Sequence, residues 1–375
     1  MIPLHRPYLD EDELLEVKKV LDSGWLTQGP KVKEFEDEMK KVTGAEHSIA
    51  CSNCTTALHL ALLALGVGNG DVVLVSDYTF PATGHAVIHC GATPIFVDID
   101  PYTYNMDSIC LEKLLNKVKT AKAIIPVHTF GQCADMDSII PIARYYEVPI
   151  IEDAACAVGS KHYEIPAGNL GDIACFSFHP AKGTTSGEGG MITTNNKKIA
   201  DKVRCLGHFG IEATQSSWDR RSNNKFVIPE FSMVGYNYRM SDISAAIGVA
   251  QLRKLDKVIA KKQLLAKYWD EKLKELSDFI TPPFMDDDCF HNYQGYTTLI
   301  NYDIDRNDLI MALKNKGVET QIGTYASHIL PVYGCDYSCP KSKDVYDRAL
   351  RLPMYYELTT EIIDEVIEIL KEVLK

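Results

Sequence analysis

Short apolar runs recur along the first half of the chain, at 72–75, 93–97, 123–127, 149–151, 173–178 and 191–194, each bounded by turn residues. Runs of this length, separated by helix-length segments, predict buried strands of a mostly parallel sheet. Between them the period changes. Residues 12–21 carry Leu14, Leu15, Val17, Val20 and Leu21 at helical spacing, and Gly24 follows as a stop. The segment 55–65 is apolar nearly all round, which predicts a buried helix. This alternation specifies a doubly wound α/β domain, in which ligands sit beyond the carboxyl ends of the strands.

From Ser241 to about Leu276 apolar residues recur near the 3.6 period, with neither Pro nor Gly after Gly248, which predicts one long helix. That helix is expected to bridge a large domain over 1–250 and a smaller α/β domain over 251–375. The chain ends in a further helical stripe, Ile363, Val366, Ile367, Leu370 and Leu374, with Thr359 or Thr360 as its cap. The polar stretch 215–224 reads as a loop, and no internal repeat is found.

Composition narrows the function classes. A length of 375 residues, 46% of them hydrophobic, supports a large core and excludes a disulfide-stapled or disordered chain. The net charge of -12 would repel a phosphate backbone, so nucleic acid is not an expected partner. No apolar run approaches the ~20 residues that span a bilayer, and the N-terminus lacks a leader pattern, so a soluble cytoplasmic protein is expected. The eleven cysteines are scattered, and reduced thiols are the expected state.

Candidate chemistry concentrates between Ile150 and Thr194. One strand ends in Glu152 and Asp153; another, 175–178, runs into His179, Pro180, Ala181 and Lys182, and then into the glycine-rich 187–190. A lysine at the end of a buried strand can lose proton affinity by desolvation and present a neutral amine for a Schiff base. A carboxylate on a neighbouring strand could hold a pyridine nitrogen protonated, as a pyridoxal phosphate electron sink requires. From these residues alone, a surface-loop lysine and an acidic strand end are the favoured reading. Cys51 and Cys54 form a C-x-x-C pair, but a zinc site needs two more ligands, and no metal is expected.

The blocks EDAACAVGS, GDIACFSFHPAK and SGEGGMITT stand in an order and spacing that resembles the DegT family of sugar-nucleotide aminotransferases, pyridoxal-phosphate enzymes of fold type I. The resemblance extends through GWLTQGPKVKEFE, SNCTTALHLALLALGVGNGD, DYTFPATGHAVIHCGATPIFVDID, HTFGQCADMD, GYNYRMSDISAAIGVAQL and LRLPMYYELT, nearly the whole chain. It implies an α/β fold with pyridoxal 5'-phosphate held by Lys182, which then carries protons between substrate and cofactor. It also implies Asp153 on the pyridine nitrogen, Phe80 against the ring, and Thr55, Thr56 and Ser177 on the phosphate. Asn237 would reach the phosphate of a neighbouring subunit, making the functional unit a homodimer with shared sites.

Two residues depart from the family pattern. Cys156 replaces the Gln, His or Glu usual in the EDAAxA block, a weaker hydrogen-bond partner for the cofactor. Cys54 stands where glycine is usual in the phosphate loop. Because position 182 is lysine and not the histidine of the family's dehydratases, the resemblance implies amine transfer. The donor would be L-glutamate and the acceptor a nucleotide-linked sugar with a keto carbon at C4 or C3. A dehydratase, a cyclic-ketone transaminase and a non-enzymatic regulator remain alternatives. For the substrate, the family's H-Y-x-P-x-H element survives here only as His328, so His328, the Arg220 and Arg221 pair, and Thr27 are the candidate contacts. His328 could equally be structural and the arginines merely solvated.

Overall fold

The computed structural model describes residues 1–118, 120–212 and 228–374. The expected loop 215–224, with Arg220 and Arg221, lies outside them.

The apolar runs form one wall of the molecule. Thr93–Val97, Val72–Ser76 and Ala121–Ile125 pair in parallel, and His47–Cys51, Gly190–Thr194, Ile173–Ser177 and Ile151–Asp153 form a second ladder. Parallel bridges Ile124 to Ile150 and Val127 to Asp153 join the two into a seven-stranded sheet. Within it Gly190–Thr194 runs against both its neighbours.

The strands are buried on both faces, and that is why they read as continuous apolar runs. Val73 and Val75 pack into a cluster with the helix Cys54–Ala64, while Leu74 between them packs with Leu111, Leu115 and Ile139 on the opposite face. Ile173 and Cys175 likewise face that helix, and Ala174 and Phe176 face a third cluster built on Phe35, Phe178 and Val249.

A second, antiparallel sheet, ordered Ile280–Thr281, Tyr296–Ile300, Ala349–Leu352 and Gln321–Ile322, has its own core. Leu265, Trp269, Leu309, Leu350, Leu352 and Ile363 pack there. The closing helix is Thr360–Val373, capped by Thr359, whose hydroxyl accepts from the Ile362 amide.

The expected single helix over 241–276 is instead two helices, Asp242–Arg253 and Leu255–Leu273, followed by the 3-10 turn Lys274–Leu276. The break falls at Lys254, whose ammonium is 2.9 Å from Asp10 and 2.7 Å from Glu13. Tertiary ion pairs, with no helix-breaking residue, set this boundary.

The first helix, Glu11–Ser23, also corrects its pattern. Leu14, Leu15 and Leu21 are exposed, while Glu13 and Glu16 are buried against Gln251, Arg253 and Lys254. Among the described residues no helix is long and apolar enough to cross a membrane, and all eleven cysteines are free thiols.

Candidate active site

At the carboxyl ends of the central strands lies a cavity of about 570 Å³, within the ~300–1,000 Å³ range of small-molecule sites. Asp153, Ser177, Lys182, Thr55, Phe80 and Cys156 all line it. Strand ends, a helix N-terminus and a turn thus bring together residues spread over more than a hundred positions.

Asp153 and its neighbour show how the strand sorts two acids. Side chains alternate along Ile151–Asp153. Glu152 turns away from the cavity and accepts from the amides of Gly168, Leu170 and Gly171 at 2.7 to 2.9 Å, and from His128 at 3.0 Å. Asp153 turns into the cavity, where Oδ2 accepts from the Thr83 hydroxyl at 2.8 Å and Oδ1 from the Ala155 amide at 3.2 Å.

Lys182 ends the 3-10 turn Pro180–Lys182, which His179 caps, its Nδ1 accepting from the Ala181 amide. The next residue, Gly183, has φ +84°, a left-handed conformation that L side chains rarely adopt. Lys182 Nζ lies 3.3 Å from Cys156 Sγ. Burial pushes the lysine amine down, but Cys156 and Asp153 outweigh it and its proton affinity is raised. The expected loss by desolvation is therefore reversed by the sulfur and carboxylate placed opposite.

The helix Cys54–Ala64 opens beneath these groups. Thr55 faces the cavity at the N-terminus, where orphan amides and the helix dipole favour an anion. Thr56 is drawn into the cap: its amide donates to Asn53 Oδ1 at 2.9 Å and its hydroxyl to the Asn53 carbonyl at 2.8 Å. That leaves its amide unavailable to a phosphate. Cys54 is an ordinary first helical residue, absent from the positive-φ positions, so no glycine conformation is needed there. The glycine requirement falls instead on Gly190, where a Cβ would sit 2.3 Å from the Asn53 carbonyl oxygen.

Phe80 is 62% exposed, its ring edge-to-face with Tyr325 at 6.1 Å. An apolar ring left in the open at a cavity mouth offers a face to a flat ligand.

The other candidates lie apart. His328 is buried with Nδ1 2.7 Å from Asp77 Oδ2, and its amide donates to Asp77 Oδ1 at 2.7 Å, so its recognised partner is a carboxylate of the fold. Thr27 is exposed and not in the cavity wall. Asn237 is exposed, bridged to His208, and also outside this subunit's cavity.

Among the wall residues that escaped the sequence reading are Thr83, Gln294, Gln321 and Arg351. Of these, Arg351 carried a signal. It stands between Leu350 and Leu352, both buried in the small core, so alternation places it on the opposite face of its strand.

The chain matches the model of the DegT/DnrJ/EryC1/StrS aminotransferase family over residues 7–371. It is 38% identical over 380 residues to the GDP-perosamine synthase of Caulobacter vibrioides, covering 100% of this chain and 98% of that one. It is 36% identical over 383 residues to the spore coat polysaccharide biosynthesis protein SpsC of Bacillus subtilis, covering 100% and 97%. Among solved structures, Spr1654 of Streptococcus pneumoniae in its PMP form superposes with a TM-score of 0.91 at 27% identity, over 100% of this chain and 99% of that one.

Proposed function

The chain belongs to the DegT/DnrJ/EryC1/StrS aminotransferase family, and from that premise we propose that it transfers an amino group from L-glutamate to the C4 or C3 keto carbon of a nucleotide-linked keto-deoxysugar, using pyridoxal 5'-phosphate. The observation that carries this reading is the placement of the Lys182 amine and the Asp153 carboxylate in the wall of one cavity, with Phe80, Ser177 and a helix N-terminus around them. The relatives named for GDP-perosamine and for a spore coat polysaccharide support a sugar nucleotide as acceptor.

The residues fit the cofactor. Thr55 at the helix N-terminus and Ser177 at its strand end would take the phosphate, Phe80 the ring face, and Asp153 the pyridine nitrogen. Asp153 is held for that task by Thr83 and the Ala155 amide, which fix its carboxylate at the cavity wall. Bound there, pyridoxal phosphate supplies an aldehyde to hold the amine and an electron-withdrawing ring to weaken the neighbouring C–H bond.

Lys182 Nζ would hold the cofactor between turnovers and, when free, is placed to take the proton from the donor's α-carbon. It returns a proton to the sugar carbon in the second half of the cycle. Cys156, 3.3 Å from Nζ, keeps the free lysine aimed into the cavity between these roles. Asn237, exposed and outside its own subunit's cavity, would reach the phosphate of a second copy. The apolar Phe231, Met233 and Val234, exposed in the same segment, support a homodimer.

The test is the visible spectrum of the purified protein with pyridoxal phosphate. A band that bleaches with L-glutamate and returns with one keto-sugar nucleotide from a panel establishes the class and the acceptor together. Absence of any band after cofactor addition overturns the assignment of Lys182.

A further inference from the structure

Outside the cavity wall, one buried cluster joins three kinds of metal-binding atom. A carboxylate oxygen of Asp77, a ring nitrogen of His328 and Sγ of Cys339 all lie within 4.8 Å of one another. None of the three residues is more than 8% exposed. It is the only such cluster among the described residues, and it does not include the C-x-x-C pair Cys51 and Cys54.

Three separate segments carry these groups. Asp77 directly follows the strand Val72–Ser76, His328 lies in the 3-10 turn Ser327–Ile329, and Cys339 caps the helix Pro340–Arg348. The His328 amide donates to Asp77 Oδ1 at 2.7 Å and His328 Nδ1 stands 2.7 Å from Oδ2, so carboxylate and imidazole are already oriented towards each other. Cys339 Sγ is committed to no more than a 3.8 Å contact with the Phe96 carbonyl, which leaves its lone pairs free. The same segments also carry unmet polar demand. The hydroxyls of Ser76, Ser327 and Ser342 are buried with no hydrogen-bond partner among the described residues, and a buried group left so costs free energy that a ligand can restore.

We propose that Asp77, His328 and Cys339 hold a zinc ion. Zinc accepts oxygen, nitrogen and sulfur donors together in a tetrahedron, at about 2.0, 2.1 and 2.3 Å. Those bond lengths set ligand atoms roughly 3.3–3.6 Å apart. The 2.7 Å contact between Asp77 and His328 opens slightly to admit the ion, and the other pairs close in from at most 4.8 Å. Cys339 binds as the thiolate, its proton passing to solvent, and a water takes the fourth position. Magnesium is poorly served, since it demands an octahedron of oxygens. The ion would act as a staple. Asp77 leads into Tyr78, Thr79 and Phe80 of the cavity wall, and the strand Tyr325–Ala326, which pairs with Tyr78–Thr79, leads into His328. Zinc ties both to the start of the helix Pro340–Arg348.

The test uses the cofactor-loaded full chain, stripped with a chelator, desalted and titrated with zinc chloride by calorimetry, with thermal unfolding measured alongside. Wild type should take up one zinc per chain and unfold at a higher temperature with it, and magnesium chloride at the same concentrations should do neither. Cys339→Ser keeps the size of the side chain and loses the soft donor. It should weaken zinc by more than the ~10–100-fold that loss of an outer-shell partner costs. If that variant does not fold, cobalt(II) bound to the wild type gives the second reading. Tetrahedral ligation by a thiolate produces intense bands in the red that a six-coordinate oxygen site lacks, and zinc should displace them. No saturable zinc binding, zinc uptake undiminished in Cys339→Ser, or absence of the cobalt bands overturns the site.

Discussion

Glu152 and Asp153 are chemically near-identical neighbours, and one backbone step separates an acid bound up in the fold from one that faces the cavity. Glu152 spends its lone pairs on three amides and a histidine; Asp153 keeps its carboxylate at the cavity. Asp153→Ala should leave cofactor attachment intact and slow amine uptake by about 10²–10⁴-fold, measured as the single-turnover rate with L-glutamate. An unchanged rate removes Asp153 from its role. Lys182→Ala should abolish covalent retention of the cofactor, read by mass spectrometry after borohydride reduction. Lys262 gives a prediction on stability. Burial and Arg351 push its amine down to about 7 from 10.5. The folded chain then binds the proton less readily than the unfolded one, so the penalty is full below about pH 7 and fades as pH rises towards 10.5. Lys262→Met should therefore stabilise the ligand-free protein at pH 7 by on the order of 4 kcal/mol, at 1.36 kcal/mol per pKa unit. The gain should shrink at pH 9.5, as denaturant titrations at the two pH values would show.

At the scale of elements, the site depends on close approach of backbones. Gly190 opens its strand directly against the loop that caps Cys54–Ala64. Gly190→Ala should push that loop away, costing roughly 1–3 kcal/mol by overpacking. It should also weaken cofactor binding, since Thr55 sits on the displaced helix end; thermal unfolding and cofactor titration together check this. The strands at 72–76, 93–97, 173–177 and 190–194 were legible from their apolar runs because both faces are covered, which leaves a continuous signal. The strand His47–Cys51 was not legible, since its Cys and Ser blend into the loop that follows. The break at Lys254 was equally invisible, because the acids that catch it come from some 240 residues away. Helix Glu11–Ser23 had the right extent but the wrong buried face, for the same ion-pair network turns its glutamates inward.

For the whole molecule, the architecture is that of the fold type I pyridoxal-phosphate enzymes, a seven-stranded sheet with a smaller antiparallel sheet beside the cavity. Phe231, Met233 and Val234 leave apolar surface in solvent next to Asn237. The active unit is expected to be a dimer in sedimentation. Mixing Asn237→Ala subunits with Lys182→Ala subunits should place both defects in one of the two sites and leave the other intact. Each hybrid should keep about half of wild-type activity, and the randomly reassorted mixture about a quarter; full loss in every hybrid argues against sharing.

Local order and covalent identity were written in the sequence. Apolar runs marked the strands and ordered blocks marked the family, because each depends on residues close along the chain or on a pattern of types. What the tertiary structure decided depends on groups distant in sequence meeting in space. Glu13 and Asp10 broke a helix at Lys254, Asp77 claimed His328, and Cys156 with Asp153 raised the proton affinity of Lys182 where burial alone would have lowered it. Arg351 and Gln294 came to share one wall in the same way. Charges and hydrogen bonds act through space with strengths set by distance and burial, and neither quantity exists until the chain has folded.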